Sequence, residues 1–343
     1  MARLLSGAWR EANCSPPDLS AHELEEILTL LLQSNTAPLA WWRIRNSSLA
    51  HTVAGERLHT AYRVQSLREA EHQMRVASLV EKFHAQGIEP ILMKGWSMAQ
   101  FYPQAALRPY SDVDLMVPPA QRKAAEALSA VSQGVAVDLQ HDEITRFDNH
   151  SWDDLYARSQ LKWLGETRIR VLSSEDQLRA LCIHFLKHGG WGPLWLCDIA
   201  VLVESRPPTF RWDVCLGGER RQRSWVTCAL LLAHSLIGME WDGVPLARAP
   251  EPLPRWVEAT VLEQWGSSPR AHRAAFRTYF RHPARIGEAI ADRWPPNPIV
   301  ATLTSGACFG ACPRLLLQTV EVLSRLGKCF FSRSGATVRA EVA

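Results

Sequence analysis

A short island of strand-like runs, set between two long helical tracts, constrains this chain more than any other feature. Ile88-Glu89-Pro90-Ile91-Leu92-Met93 is an apolar run with the length of a buried strand, and Gly95 punctuates it before a short helical stretch at Ser97–Phe101. Val113–Val117 is a second such run, cut by Pro118-Pro119. Ala120–Val131 is helical by composition, Gly134 ends it, and Val135–Leu139 reads as a third strand. Strands that alternate with helices pair into an α/β unit. The expected fold is therefore α+β: a small α/β-like core at 87–145, an N-terminal helical region at 1–86 and a larger C-terminal helical region at 146–343.

The flanking tracts carry their own signals. Ser20 opens SAHELEEILTLLLQ with a glutamate three positions later, the signature of a capping box ahead of a helix to Gln33. A second helix is expected from about Gly55 to Gln86, with Gly87 as its C-terminal cap. After Asp142 the strand signal fades to one possible hairpin segment, Thr167–Leu172. A strong helix then runs from Ser173-Ser174-Glu175-Asp176 to His188. Helical patterns follow at Trp195–Glu204, Trp225–Ile237, Arg255–Gln264, Ala271–Arg281 and Arg314–Leu326. The longest apolar run, Trp225–Met239, is interrupted by His234 and Ser235 and is too short to span a bilayer. The N-terminus lacks the pattern of a secretory signal, so a cytoplasmic protein is expected, with no membrane partner.

The chemistry concentrates in Arg108-Pro109-Tyr110-Ser111-Asp112-Val113-Asp114-Leu115. Residues two apart on a strand point to one face, so Asp112 and Asp114 present their carboxylates together. Two like charges on a strand with apolar neighbours are costly unless a cation neutralises them. Magnesium, which takes one or two carboxylates plus phosphate oxygens and water, suits such a pair. Upstream, Leu92-Met93-Lys94-Gly95 is a strand end entering a glycine turn before a helix, a geometry in which backbone amides cradle phosphates. Lys94 adds a point charge, and Arg108 a bidentate clamp. On the next strand Asp138 is flanked by apolar residues, placed to be a third metal ligand and a general base. Further along, His184 and His188 lie four apart on one helix face with Lys187 between them. That face either lines the cleft or binds phosphate or acceptor.

The stretch MKGWSMAQFYPQAALRPYSDVDLMV resembles the motif block of the uncharacterised bacterial nucleotidyltransferase family, a branch of the DNA polymerase beta nucleotidyltransferase superfamily. The likeness runs from about Ala70 to Val203, taking in VLSSEDQLRALCIHFLKHGGWGPLWLCDIA, and extends through RWPPNP at 293–298. The resemblance implies that Asp112, Asp114 and Asp138 are catalytic and hold Mg2+ (or Mn2+). It also puts Lys94-Gly95 in place of the superfamily's glycine-serine turn. The nucleotide-binding set is then Lys94, Gly95, Ser97, Arg108 and Ser111, joined by His184, Lys187 and His188. Two departures stand out: the turn reads Gly95-Trp96-Ser97, and Gln140-His141 replaces the histidine-aromatic pair that follows the third acid in relatives.

The activity so implied is transfer of a nucleoside monophosphate from a nucleoside triphosphate to a hydroxyl or phosphate of a small molecule, peptide or protein, as in natural-product or polysaccharide biosynthesis. Transfer of a sugar from a nucleotide-sugar to a phosphorylated product uses the same diphosphate and the same metals. A third reading is a non-catalytic nucleotide-binding or toxin-neutralising partner, against which the complete carboxylate trio argues. The net charge is only +3, with no basic stripe, which argues against a nucleic-acid acceptor.

Overall fold

The capping chemistry read from the sequence sets the helix ends. In the computed structural model, which describes residues 1–10, 17–131, 135–140, 150–245, 253–267, 294–310 and 314–324, the first helices are α1 (Ala2–Leu5), α2 (Ala21–Gln33), α3 (Ala37–Ile44) and α4 (Val53–Ala85). Ser20 and Glu23 exchange side-chain and backbone hydrogen bonds at the start of α2, closing a capping box. Thr52 caps α4 by accepting from the Gly55 amide. Beyond its end Gly87 takes the left-handed conformation, φ 68°. Leu4, Leu24, Leu28, Ile44 and Leu58 bury the inner faces of these helices together.

The sheet has five strands in the order β3-β2-β1-β5-β4. They are β1 (Ile91–Met93), β2 (Asp112–Met116), β3 (Ala136–Leu139), β4 (Gln160–Leu164) and β5 (Thr167–Val171), with α5 (Gly95–Ala99), α6 (Arg122–Val131) and α7 (Trp152–Arg158) between them. The expected strands around Ile91, Val113 and Val137 are all present and paired with one another. β2 runs antiparallel to β1 and parallel to β3. The possible hairpin segment is β5, and it carries more than a local turn. β5 pairs in parallel with β1, which makes β1 the central strand, and β4 completes the edge. The sheet thus extends past residue 145 to Val171.

Strand alternation sorts the two faces. Leu92, Val113, Leu115, Ile169 and Val171 pack against Val76, Leu79, Val80 and Phe83 of α4. Ile91, Met93 and Met116 turn to the other face, against Leu155 of α7 and Ala180 of α8 (Ser174–Lys187). Behind α8, α9 (Pro193–Glu204), α10 (Trp212–Cys215), α11 (Arg220–Ile237), α12 (Arg255–Gly266) and α13 (Pro298–Thr304) follow. All but α10 and α13 match helical patterns read from the sequence. Leu181, Phe185, Ile199, Trp225, Leu230 and Val261 share the largest core. A last described helix covers 314–324; the pattern expected at Ala271–Arg281 lies outside the described residues. No described helix is long and apolar enough to cross a membrane.

Gly55, in the first turn of α4, shows how tightly α4 is seated. A Cβ there would lie 2.2 Å from the Leu49 carbonyl oxygen and 2.7 Å from that of Ala50. Helix propensity favours Ala over Gly by about 1 kcal/mol, but both obstacles are backbone, and overpacking costs about 1–3 kcal/mol. Gly55→Ala should therefore lower the urea midpoint of unfolding. A raised midpoint would mean that the start of α4 shifts freely.

Candidate active site

Register brings the three acids together. Asp112 and Asp114 alternate with Val113 and Leu115, which face α4, so both carboxylates lie on the opposite face, the one α8 crosses. Asp114 is directly opposite Asp138 across the parallel β2–β3 pair, and Asp112 opposite Ala136. Paired residues project to the same side, which puts Asp138 beside Asp114. Asp112 and Asp138 are exposed at the mouth of a cleft of about 370 Å³, and Asp114 is buried at its base.

Two side chains already answer the charge of Asp114. Lys94 Nζ lies 2.9 Å from Asp114 Oδ1. Gln140 Nε2 donates to the same oxygen at 2.8 Å and to Asp138 Oδ2 at 2.6 Å. Even so, burial, followed by Asp112 and Asp138, holds the Asp114 carboxyl above the usual carboxylate range, against the opposing pull of Lys94. Gln140 departs from the family pattern, yet the sequence carries a signal for it: the same-face spacing of two from Asp138 that also relates Asp112 to Asp114.

Lys94 reaches this position from an unusual backbone. It follows β1 with φ 46° and ψ −141°, a region sparsely populated by residues with a Cβ and one that costs about 1–3 kcal/mol. Gly95 continues the turn at φ 39°, close under Tyr110 and the Asp112 carbonyl. The Ser97 hydroxyl donates back to the Lys94 carbonyl at 2.6 Å. Ser97 therefore braces the turn, and it lines a different cavity, beside Trp96, Gln100 and Trp163.

The opposite wall comes from α8 and the start of α9. His184 Nδ1 is 3.3 Å from Lys94 Nζ. An ammonium has only donors, so that nitrogen accepts and the ring proton sits on Nε2. Burial, then Lys94 and His188, drives the His184 pKa far below its ordinary value, which keeps the ring neutral. Burial, then Lys187 and Lys94, pushes His188 down to about 4. Lys187 is lowered by its own burial and by Lys94, and Asp138 and Asp114 oppose the shift. The His184 ring is 4.4 Å from Trp195, His188 is 5.0 Å from it, and Trp191 6.0 Å, giving a neutral aromatic wall.

Arg108 and Ser111 also line the cleft. The Arg108 guanidinium is gripped by Asp198, with Nη2 2.7 Å from Oδ2 and Nε 3.2 Å from each oxygen. Tyr102 donates to Oδ1 at 2.9 Å, so the Asp198 carboxylate is paired on both oxygens. Asp198, fully buried, anchors Arg108 from behind the cleft, while Trp195, three residues earlier, is on its surface. Nothing local in the sequence announces a pair ninety positions apart.

The acids fit a divalent cation in chemistry and in register. The donor set is all oxygen, which suits hard ions, and a positive group in fact sits on Asp114. Among the described residues no three acids or imidazoles are drawn in to ligand distance; the inner oxygens face the Lys94 ammonium and the Gln140 amide instead.

This chain belongs to the uncharacterised nucleotidyltransferase family, whose model matches residues 20–130 and 126–238. The match begins upstream of the likeness read from the sequence, taking in α2 to α4. It stops in the loop after α11, so RWPPNP lies beyond it. Membership brings a nucleotide donor and points to nucleotidyl transfer. No curated protein and no solved structure matches the chain.

Two measurements test this description. Asp198→Ala leaves Arg108 charged, buried and unpaired, and breaking such a pair costs about 3–5 kcal/mol; replacing both partners by Arg108→Met and Asp198→Leu should recover most of the lost melting temperature. The second concerns pH. His188 has a folded pKa of about 4 and an ordinary value of 6.5, so the unfolded chain binds the proton more readily. Its contribution to stability is complete above about pH 6.5 and is lost as the pH falls toward 4. Asp114, raised by burial, slopes the opposite way, so the comparison is wild type against His188→Gln. The wild type should lose more of its unfolding midpoint between pH 7 and 4.5; equal losses would mean that His188 titrates normally.

Proposed function

We propose that this chain transfers a nucleoside monophosphate from a nucleoside triphosphate to an oxygen of a small-molecule, peptide or protein acceptor. Asp112, Asp114 and Asp138 would hold Mg2+ (or Mn2+). The observation that carries the reading is the register of β2 and β3, which sets the acids on one face beneath Lys94 and α8. The bound ion supplies charge neutralisation for the triphosphate and the leaving group.

The chain's own residues divide the remaining work. The acceptor oxygen attacks the α-phosphorus of the donor and forms a new P–O bond. The bond between the α-phosphorus and the bridging oxygen breaks, and its electron pair leaves with pyrophosphate. The acceptor proton passes to a carboxylate oxygen of Asp138, which is exposed at the mouth and held toward Asp114 by Gln140. Lys94, Gly95, Lys187 and Ser111 line the route of the phosphates, with Ser97 bracing the turn. Arg108, anchored on Asp198, adds positive charge at the back of the cleft. The wall of Trp191, Trp195 and His188 offers the donor's base a stacking surface, and His184 positions Lys94. The cytoplasm, where nucleoside triphosphates and magnesium are plentiful, suits this activity.

The test is pyrophosphate release from each nucleoside triphosphate with Mg2+ or Mn2+ and cell-extract acceptors. Asp112→Asn together with Asp114→Asn should abolish it while the chain stays folded by circular dichroism, with a lowered melting temperature because buried Lys94 loses its carboxylate partner. Undiminished release in that variant would make the acids structural and refute the assignment.

A further inference from the structure

A second cavity, of about 390 Å³, opens off the first. The two share Asn35, Pro109, Tyr110 and Ser111 as a common wall, so the second begins where the strand carrying Asp112 begins. Its far side is α4, which contributes Gln65, Arg68, Glu71, His72 and Arg75. All of these but the Glu71 carboxylate offer hydrogen-bond donors.

Arg68 is exposed and makes no ion pair or hydrogen bond among the described residues. The His72 ring packs edge-on against Tyr110 at 4.6 Å, and its Nε2 is a buried atom with no hydrogen-bond partner. A buried ring nitrogen left unsatisfied costs free energy unless something fills the role. Arg75 pairs with Glu71 at 2.5 Å, which leaves Arg68 as the charge that balances an incoming anion. Tyr110 is fixed in turn by its hydroxyl, which donates to Glu69 at 3.0 Å. That contact braces Tyr110 in the wall that the two cavities share.

We infer that this second cavity is a phosphate subsite, in which Arg68 and His72 bind the phosphoryl oxygens of a substrate whose reacting atom lies at Asp112. The inference rests on the nucleotidyl-transfer reading, since it takes Asp112 as the reacting end. Two substrates carry such a group: the donor, through its terminal phosphates, and an acceptor that is itself a phosphomonoester. Planar guanidinium donors beside a neutral imidazole match phosphoryl oxygens in either case.

The experiment titrates the full chain calorimetrically with pyrophosphate and with glycerol 3-phosphate, without divalent ions. Arg68→Gln should weaken binding of at least one of them about tenfold, the scale of one charge-assisted contact. His72→Phe, which keeps the ring packing on Tyr110, should weaken it in the same direction. If the subsite holds the donor, Arg68→Gln also weakens a nucleoside triphosphate while leaving the monophosphate unchanged. If it holds the acceptor, glycerol 3-phosphate binds alongside a saturating α,β-methylene triphosphate, and only that binding suffers. The proposal is overturned if wild type binds neither probe, or if Arg68→Gln and the double variant Arg68→Gln/Arg75→Gln bind both as wild type does. Failure of the catalytic reading shows elsewhere, as pyrophosphate release that survives loss of Asp112 and Asp114, and leaves these titrations interpretable.

Discussion

Three carboxylates on one face of a small sheet repel one another, and the site is built around containing that repulsion. Asp114 bears most of it, because it is buried beside the other two and burial disfavours its charged form. The chain answers with a lysine from the neighbouring strand end and an amide from the strand beyond. Neither answer is incidental. Lys94 adopts a backbone conformation that few residues with a side chain tolerate, and strain of that kind persists only where the surroundings over-determine it. Here the surroundings are the Ser97 hydroxyl on the Lys94 carbonyl, the imidazole of His184 and the carboxylate itself.

The positive groups nearby are kept from becoming a second problem. His184 and His188 are held neutral by burial and by the lysines, so the rings that α8 brings to the cleft are uncharged and Lys187 is the cation it adds. Arg108 adds its charge at the back of the cleft, fixed from behind by Asp198, which Tyr102 holds in turn. The cleft therefore has little net charge and many oriented polar groups, an arrangement suited to a ligand that brings both phosphates and a counterion.

Much of this was legible in the amino-acid order, for identifiable reasons. Apolar runs broken by Gly95 and Pro118-Pro119 gave the first three strands, because a buried strand is short, apolar and bounded. Period two put Asp112 and Asp114 on one face, and the family pattern pointed on to Asp138. β4 escaped because its residues are mostly exposed and do not form an apolar run. β5 was visible only as half of a possible hairpin, and nothing in its pattern says that it pairs with β1. Periodicity assigns faces to elements, but it does not say which helix crosses which sheet. So Lys94 meeting His184, and Arg108 meeting Asp198, were beyond its reach. Gln140 is within reach of the same rule, since it is two residues from Asp138 on the same face.

The central place of β1 has a consequence for how the molecule comes into being. Both of its neighbours come later in the chain, at very different separations: β2 lies about twenty residues ahead, β5 about seventy-five. A nascent chain released only as far as Leu139 can pair β1 with β2 and β3, yet leaves the other edge of β1 bare, with apolar side chains and unpaired amides open to any passing strand. That edge closes only after β5 emerges, and the far wall of the cleft only after α8. Long-range parallel pairing of this kind is slow to form, so the interval is a window for misassembly. The acids are among the first parts of the site to be made, and the wall that encloses them is among the last.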